Sequence, residues 1–114
     1  MLPKTDADAS AHADALVKDY PHDPRAHFYR ALALMDKDMP GAERELRKAL
    51  AEKDVLEVEF KPEFEVEIAT YLAQTLVTEG RPDEARLAAK PYCHRGAGGA
   101  VPEDLHTLGL CNGQ

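Results

Sequence analysis

Hydrophobic side chains recur at helical spacing along most of this 114-residue chain. The longest run follows Pro62, where apolar positions fall at i, i+4, i+7 and i+8 until Gly80 ends the pattern. Its apolar residues are Phe64, Ile68, Tyr71, Leu72 and Leu76. This spacing predicts an α-helix that buries one face.

Three more helices are predicted from the residues that begin them. Asp23 and Asp38 each stand one or two residues before a proline. An aspartate N-cap accepts a hydrogen bond from the first helical turn, and proline is pre-organised for that turn. The last of the three begins at Pro82. Because Pro91 removes a backbone hydrogen bond near its end, we expect it to kink or loosen there.

The helices that follow Asp23 and Asp38 are expected to form an antiparallel hairpin, since only a few residues separate them. Their predicted inward positions are Phe28, Leu32 and Met35 in the first helix and Leu46, Ala49 and Leu50 in the second. Residues 5–20 predict a further helix at one end, and residues 102–110 predict a short helix at the other. We expect these to cap the faces that the hairpins would otherwise expose.

The segment from Leu56 to Ile68 nearly alternates apolar and charged residues, which is the pattern of a β-strand. A strand there would need a partner for its backbone groups, and no other segment has a strand pattern. Pro62 also fits the first turn of a helix better than the middle of a strand. We therefore interpret residues 54–61 as a joint between two helix pairs.

The sequence thus predicts an all-α fold in a single domain over residues 1–114. Its parts are a capping helix at 5–20, a first hairpin at 23–53, the joint at 54–61, a second hairpin at 62–94 and a short helix at 102–110. The segments MPGAERELRKAL and RPDEARLAAKPY each begin with a proline at the second position, and matching Ala42 to Ala85 relates the two hairpins by 43 residues. A period of this length is typical of solenoid repeats.

Residues 23–93 resemble the tetratricopeptide repeat family, whose helical hairpins repeat about every 34 residues. In the second copy, Leu72, Ala73, Gly80 and Ala85 match the family pattern. Arg30 departs from it at a position that is small in the family, and the longer period places extra residues in the joint. The resemblance implies two degenerate hairpins that present a peptide-binding groove. The weak candidates for that groove are Phe28, Tyr29, Tyr71 and Gln74, each equally suited to the core.

The order of YPHDPRAHFYRALAL, a long joint, EGRPDEAR and a C…LC ending is similar to soluble tails of bacterial rhomboid-type intramembrane proteases. This second resemblance implies a regulatory or partner-binding tail of a larger membrane protein. A free-standing soluble adaptor is the alternative. The catalytic residues of such proteases have no counterpart here. A small hydrolase is a further alternative, and it would require Ser10 or Cys93 to lie in a pocket with a histidine, of which His12 is near Ser10 in sequence.

The bulk composition narrows the class of partner. The net charge of −7, with no clustered lysines or arginines, argues against nucleic acid. No apolar run is long enough to cross a membrane, and no secretory signal is recognisable, so the default expectation is a cytoplasmic protein, tethered to a membrane only through a parent chain. A protein or peptide partner is expected, with a homodimer as an alternative, and no cofactor.

Five glutamates form the densest charge cluster, and two cysteines lie near the end. The glutamates are Glu57, Glu59, Glu63, Glu65 and Glu67. They predict either an acidic patch for a basic peptide or, as we favour, a solvated helix start. Cys93 and Cys111 are interpreted as small core residues, with a disulfide as the alternative. A zinc site with His94 and His106 fits no familiar ligand spacing, so no metal is predicted.

Overall fold

The computed structural model describes residues 6–35, 37–55, 61–95 and 97–111. The regular structure within these ranges is helical and contains no β-strand, which confirms the predicted all-α class. The helices are α1 Asp6–Asp19, α2 Pro24–Leu34, α3 Met39–Ala51, α4 Lys61–Thr78, α5 Pro82–Ala89 and α6 Glu103–Thr107. Short 3₁₀ segments occupy Lys53–Val55, Lys90–Tyr92 and Ala97–Gly99. No helix within the described ranges is long and apolar enough to span a bilayer.

Two compact units divide the chain, one at 1–57 and one at 58–114. The boundary falls inside the segment interpreted as a joint. The described ends of that segment are the 3₁₀ turn at Lys53–Val55 and the start of α4 at Lys61, while residues 56–60 lie outside the described residues. The single domain over 1–114 stays a prediction.

The first unit contains α1, α2 and α3, and the predicted caps begin two of these helices. The Asp23 carboxylate accepts a hydrogen bond from the Arg25 amide at 2.9 Å, and the Asp38 carboxylate accepts one from the Gly41 amide at 3.0 Å. A Cβ atom at position 41 would lie 2.3 Å from a carboxylate oxygen of Asp38. Glycine at this position therefore allows the cap to lie against the helix.

The buried face of α2 differs from the one predicted. Leu32 is 39% exposed, and Phe28 and Met35 are only half-buried. The buried positions are instead Pro24, Ala26, His27 and Ala31. Helix α2 packs against both α1 and α3, and small side chains let three backbones approach closely. On α3 the predicted Leu46 and Ala49 are fully buried, whereas Leu50 is half-buried.

The second unit is built on α4. Its core face carries Ile68, Leu72 and Leu76, as the helical spacing predicted, and α5 packs against it. Gly80 ends α4 with φ +77°, and this left-handed residue lets the Arg81 amide donate to the Leu76 carbonyl at 2.8 Å.

Helix α5 ends at Ala89 and continues as the 3₁₀ segment Lys90–Tyr92. This change of helix type is the loosening expected at Pro91. Beyond it, Gly109 ends α6 with φ +71°, and the Leu110 amide donates to the Leu105 carbonyl. This turn buries both leucine side chains in the second unit.

Candidate functional site

A cleft of about 350 Å³ lies in the second unit between one face of α4 and the residues that begin α6. It is lined by Glu63, Val66, Glu67, Thr70 and Tyr71 from α4 and by Pro102, Glu103 and Asp104 from the other side. The α4 residues are spaced i, i+3, i+4, i+7 and i+8, so they share one side of the helix. Helical spacing alone brings together the residues of one wall of the cleft, and tertiary folding brings the other wall to face it.

Carboxylates dominate the rim of this cleft. The four acidic lining residues are Glu63, Glu67, Glu103 and Asp104, and all are exposed. Val66, Tyr71 and Pro102 supply apolar surface between them. We call this feature the acidic cleft. Its combination of negative rim and apolar wall suits a ligand that carries both positive charge and hydrophobic groups.

A smaller cleft of about 250 Å³ continues the acidic cleft toward the start of α4. It shares Glu63, Val66 and Pro102 with the larger one and adds Pro62 and Arg95. The Arg95 guanidinium lies 5.4 Å from the centre of the Tyr92 ring and 3.9 Å from a Glu65 carboxylate oxygen. Arg95 is thus held at one end of the cleft by a buried carboxylate and an aromatic ring.

The three described members of the predicted glutamate cluster do not share one environment. Glu63 and Glu67 line the acidic cleft, whereas Glu65 is only 6% exposed, because residues two apart in a helix point to different sides. Glu65 accepts a hydrogen bond of 3.4 Å from the Tyr92 hydroxyl. Burial, and then the negative charge of Glu65, raises the pKa of the Tyr92 phenol above its usual value. Glu57 and Glu59 lie outside the described residues.

The four predicted groove residues have different environments. Tyr71 lines the acidic cleft, and Gln74 is exposed one turn further along α4. Phe28 and Tyr29 belong to the first unit and are half-buried. The Tyr29 ring meets the His12 ring edge-on, with 5.5 Å between their centres. Of the four, Tyr71 is therefore the one that lies at a described cleft.

The first unit contains a buried polar cluster that the sequence reasoning missed. His27 on α2 and Glu45 on α3 are each 4% exposed, and His27 Nδ1 lies 2.6 Å from a Glu45 carboxylate oxygen. The other carboxylate oxygen accepts a hydrogen bond from Arg30 at 3.1 Å and lies 3.8 Å from the Lys48 ammonium. Arg30 also lies 3.0 Å from Asp14 on α1, so the cluster links all three helices.

Both nitrogens of the His27 ring have hydrogen-bonding partners. Nε2 is 2.7 Å from the Pro21 carbonyl oxygen, which can only accept, so Nε2 donates there. Nδ1 forms the 2.6 Å hydrogen bond with the Glu45 carboxylate. Because both residues are almost fully buried, this arrangement links α2 to α3 inside the unit and does not present the imidazole to a substrate.

A signal for this cluster is present in the sequence. On α3 the buried stripe is Ala42, Glu45, Leu46 and Ala49, so a glutamate stands among apolar residues at helical spacing. A carboxylate in such a position requires a partner, because burial of an unpaired charge is very costly. His27 occupies the corresponding stripe of α2 between Pro24 and Ala31. Each of these buried polar residues therefore indicates that the facing helix carries a polar partner.

The cysteines near the end of the chain form a disulfide in the structure. Cys93 and Cys111 are joined across a sequence separation of 18, and both are buried. The pair therefore holds the segment between them as a closed covalent loop. In the described part of the chain, no group of three or more histidine, cysteine, aspartate or glutamate side chains is arranged to hold a metal ion. The side chain of Ser10 lies outside the described residues.

Comparison of the chain with protein-family models, with curated proteins and with solved structures finds no match. The candidate site is therefore defined by its own geometry alone.

Proposed function

We propose that this chain is a non-catalytic protein-interaction module that binds a basic peptide segment in the acidic cleft. The observation that carries the proposal is the placement of four exposed carboxylates around a cleft with apolar walls. Lysine or arginine side chains of the peptide would pair with the rim, and an intervening apolar side chain would contact Val66, Tyr71 and Pro102. An excess of negative charge on the whole chain would favour the same class of partner.

The helical wall of the cleft supports binding without a large ordering cost. Glu63, Val66, Glu67 and Tyr71 lie on an 18-residue helix whose opposite side is fixed in the core by Ile68, Leu72 and Leu76. A surface of this kind is formed before the partner arrives, so less binding free energy is lost in ordering it. This is the mode of recognition that the tetratricopeptide resemblance implies.

We also propose that the chain contains two degenerate tetratricopeptide-type hairpins, α2 with α3 and α4 with α5. The internal repeat supports this proposal because matched positions are buried in both copies. Ala42 matches Ala85 and Leu46 matches Ala89, and all four are fully buried. The first helices match less well, since α2 buries its small residues and α4 buries larger ones.

The test is a binding titration of the intact chain with a fluorescent peptide of alternating lysine and leucine. Replacing Glu63 and Glu67 with glutamine removes two rim charges and keeps the shape of the side chains. An exposed ion pair contributes about 0.7 kcal/mol, so loss of two should weaken binding about tenfold. The matched control replaces Asp19 and Asp83 with asparagine, which removes the same charge at exposed positions outside the cleft.

Two results would contradict this function. One is equal affinity of the rim variant and the control variant, which would mean that net charge alone attracts the peptide. The other is equal binding of a peptide in which glutamate replaces lysine. A correct proposal also requires affinity to fall as salt is added, since exposed ion pairs are screened over about 10 Å at 0.1 M.

The setting in which the module works is a separate proposal. It follows the resemblance to soluble tails of rhomboid-type membrane proteases, with a free-standing adaptor as the alternative. An immunoblot of source cells, fractionated into membrane and soluble parts, distinguishes the two. A larger, salt-resistant band in the membrane fraction supports the tail, and a soluble band near 12.6 kDa supports the adaptor.

A further inference from the structure

We propose that the Cys93–Cys111 disulfide controls the acidic cleft, so that the oxidised chain binds its peptide and the reduced chain releases it. This inference rests on the proposed function for the ligand, but its structural part concerns only the order of the loop between the two cysteines.

One wall of the cleft belongs to the frame of the second unit. It is a continuous face of α4, and α4 packs against α5 through buried side chains such as Leu76 and Ala85. Cys93 directly follows the 3₁₀ extension of α5, and its amide donates to the Lys90 carbonyl. Cys93 is therefore anchored to the same frame as this wall.

The other wall lies wholly inside the disulfide loop. Arg95, Pro102, Glu103 and Asp104 line the two connected clefts, and all four stand between the bonded cysteines. Every lining residue is thus either on α4 or within the loop. Half of the rim carboxylates depend on where the loop is held.

Among the described residues of the loop, regular structure is short. Its helix, α6, has five residues, and a helix this short is not stable by itself. Gly98 and Gly99 are exposed and adopt left-handed backbone conformations that an unconstrained chain readily leaves. The loop is retained by the buried side chains of Leu105 and Leu110, by the contacts of Arg95 with Glu65 and Tyr92, and by the disulfide. Removing the covalent link restores the conformational entropy of the free segment.

The chemistry is a thiol–disulfide exchange with a dithiol reductant. A thiolate of the reductant attacks one sulfur of the pair and displaces the other as a thiolate, forming a mixed disulfide. The second thiol of the reductant then releases the chain and leaves the reductant as its own disulfide. Two electrons pass to the chain, and two protons complete the thiols of Cys93 and Cys111. Because the cysteines are 1% and 7% exposed, attack follows local opening of the loop.

The experiment compares three forms of the intact chain: oxidised, reduced with dithiothreitol, and a C93A/C111A variant that cannot form the bond. Hydrogen exchange of the backbone is followed by mass spectrometry with peptide resolution, and the lysine–leucine peptide is titrated into each form. The variant separates loss of the bond from any effect of the reductant. Exchange gives a readout of the loop that requires no ligand.

We expect faster exchange in residues 97–108 of the reduced and variant forms, unchanged protection in α4 and α5, and peptide affinity at least about tenfold weaker than in the oxidised form. Equal exchange in the loop across all three forms would overturn the inference. Loss of protection throughout α4 and α5 would also overturn it, since the bond would then hold the whole unit rather than the cleft. Faster loop exchange without peptide binding in any form would support the structural part and overturn the proposed function.

Discussion

The buried contact between His27 and Glu45 gives the sharpest test of the physical reasoning. Replacing Glu45 with alanine removes the acceptor from both His27 and Arg30. Hydrogen bonds to charged groups contribute about 1.5–3 kcal/mol, and breaking a buried pair costs about 3–5 kcal/mol. Since Arg30 keeps Asp14 as a neighbour, we expect a loss of about 3 kcal/mol in the free energy of unfolding of the first unit.

Replacing His27 with alanine should cost less. Glu45 then still accepts from Arg30 at 3.1 Å and lies 3.8 Å from Lys48, so no buried charge is left without a partner. We expect a loss of about 2 kcal/mol for the missing ring and its two hydrogen bonds. The double variant should lose about 3.5 kcal/mol rather than the sum, because the contact between the two side chains can be removed only once.

Native-state hydrogen exchange of the amides in α2 and α3 is the suitable assay, because it reports on the first unit whether or not the two units unfold together. The control is Arg47→Ala. Arg47 also lies on α3 and pairs with Glu43 at 2.9 Å, but its side chain is half exposed, so a loss below about 0.5 kcal/mol is expected. The reasoning would be refuted by additive losses within about 0.3–0.5 kcal/mol, or by a Glu45 variant no less stable than the control.

Two further predictions concern pH. The hydrogen bond from the Arg25 side chain lowers the pKa of Asp23 below 3.8. The charge of Asp23 therefore stabilises the fold above pH 3.8, and this contribution is lost as the pH falls through the lowered pKa. Urea unfolding should show that Asp23→Asn lowers the free energy of unfolding at neutral pH and lowers it less in acid, and an equal loss at both pH values would contradict this. Burial and Glu65 raise the pKa of Tyr92 above 10.0, so stability from the neutral phenol is present below pH 10.0 and is lost as the pH rises through the raised pKa. Ultraviolet absorbance of the tyrosinates should show that Tyr92→Phe removes a phenol that ionises above pH 10.0, and removal of one that ionises at or below pH 10.0 would refute the assignment.

Local signals in the sequence account for the helices and their ends. Asp23 and Asp38 cap as predicted because an N-cap needs only the next turn of its own helix. Gly80 likewise ends α4 through contacts within one turn. The 3₁₀ segment at Lys90–Tyr92 contains Pro91, whose missing amide cannot continue the α-helical hydrogen bonds. Features that depend on interactions within about five residues of the chain were therefore predictable from the sequence.

The buried face of α2 and the second wall of the acidic cleft depend on tertiary packing, so no single segment of the sequence predicts them. The apolar periodicity of α2 pointed to Leu32, but packing on both α1 and α3 selected the side that carries Ala31. Of the acidic cleft, the sequence pointed only to the glutamates of α4, as an acidic patch that was the less favoured interpretation, and nothing in the local pattern places Glu103 near Glu63. Glu45 stands among apolar positions of α3, but His27 lies on the face of α2 that the apolar periodicity did not select, so the two residues were not matched.

The covalent loop closed by Cys93 and Cys111 also changes what a break in the chain would do. Exposed glycine-rich backbone at Gly98 and Gly99 is the kind of segment that proteases cut first. A cut there would leave both fragments joined through the disulfide, and Leu105 would keep its tether to the unit. In gel electrophoresis the nicked chain would migrate as one species without a reductant and as two fragments with one. For this protein, the same bond determines whether a proteolytic cut is silent or separates the carboxyl-terminal segment.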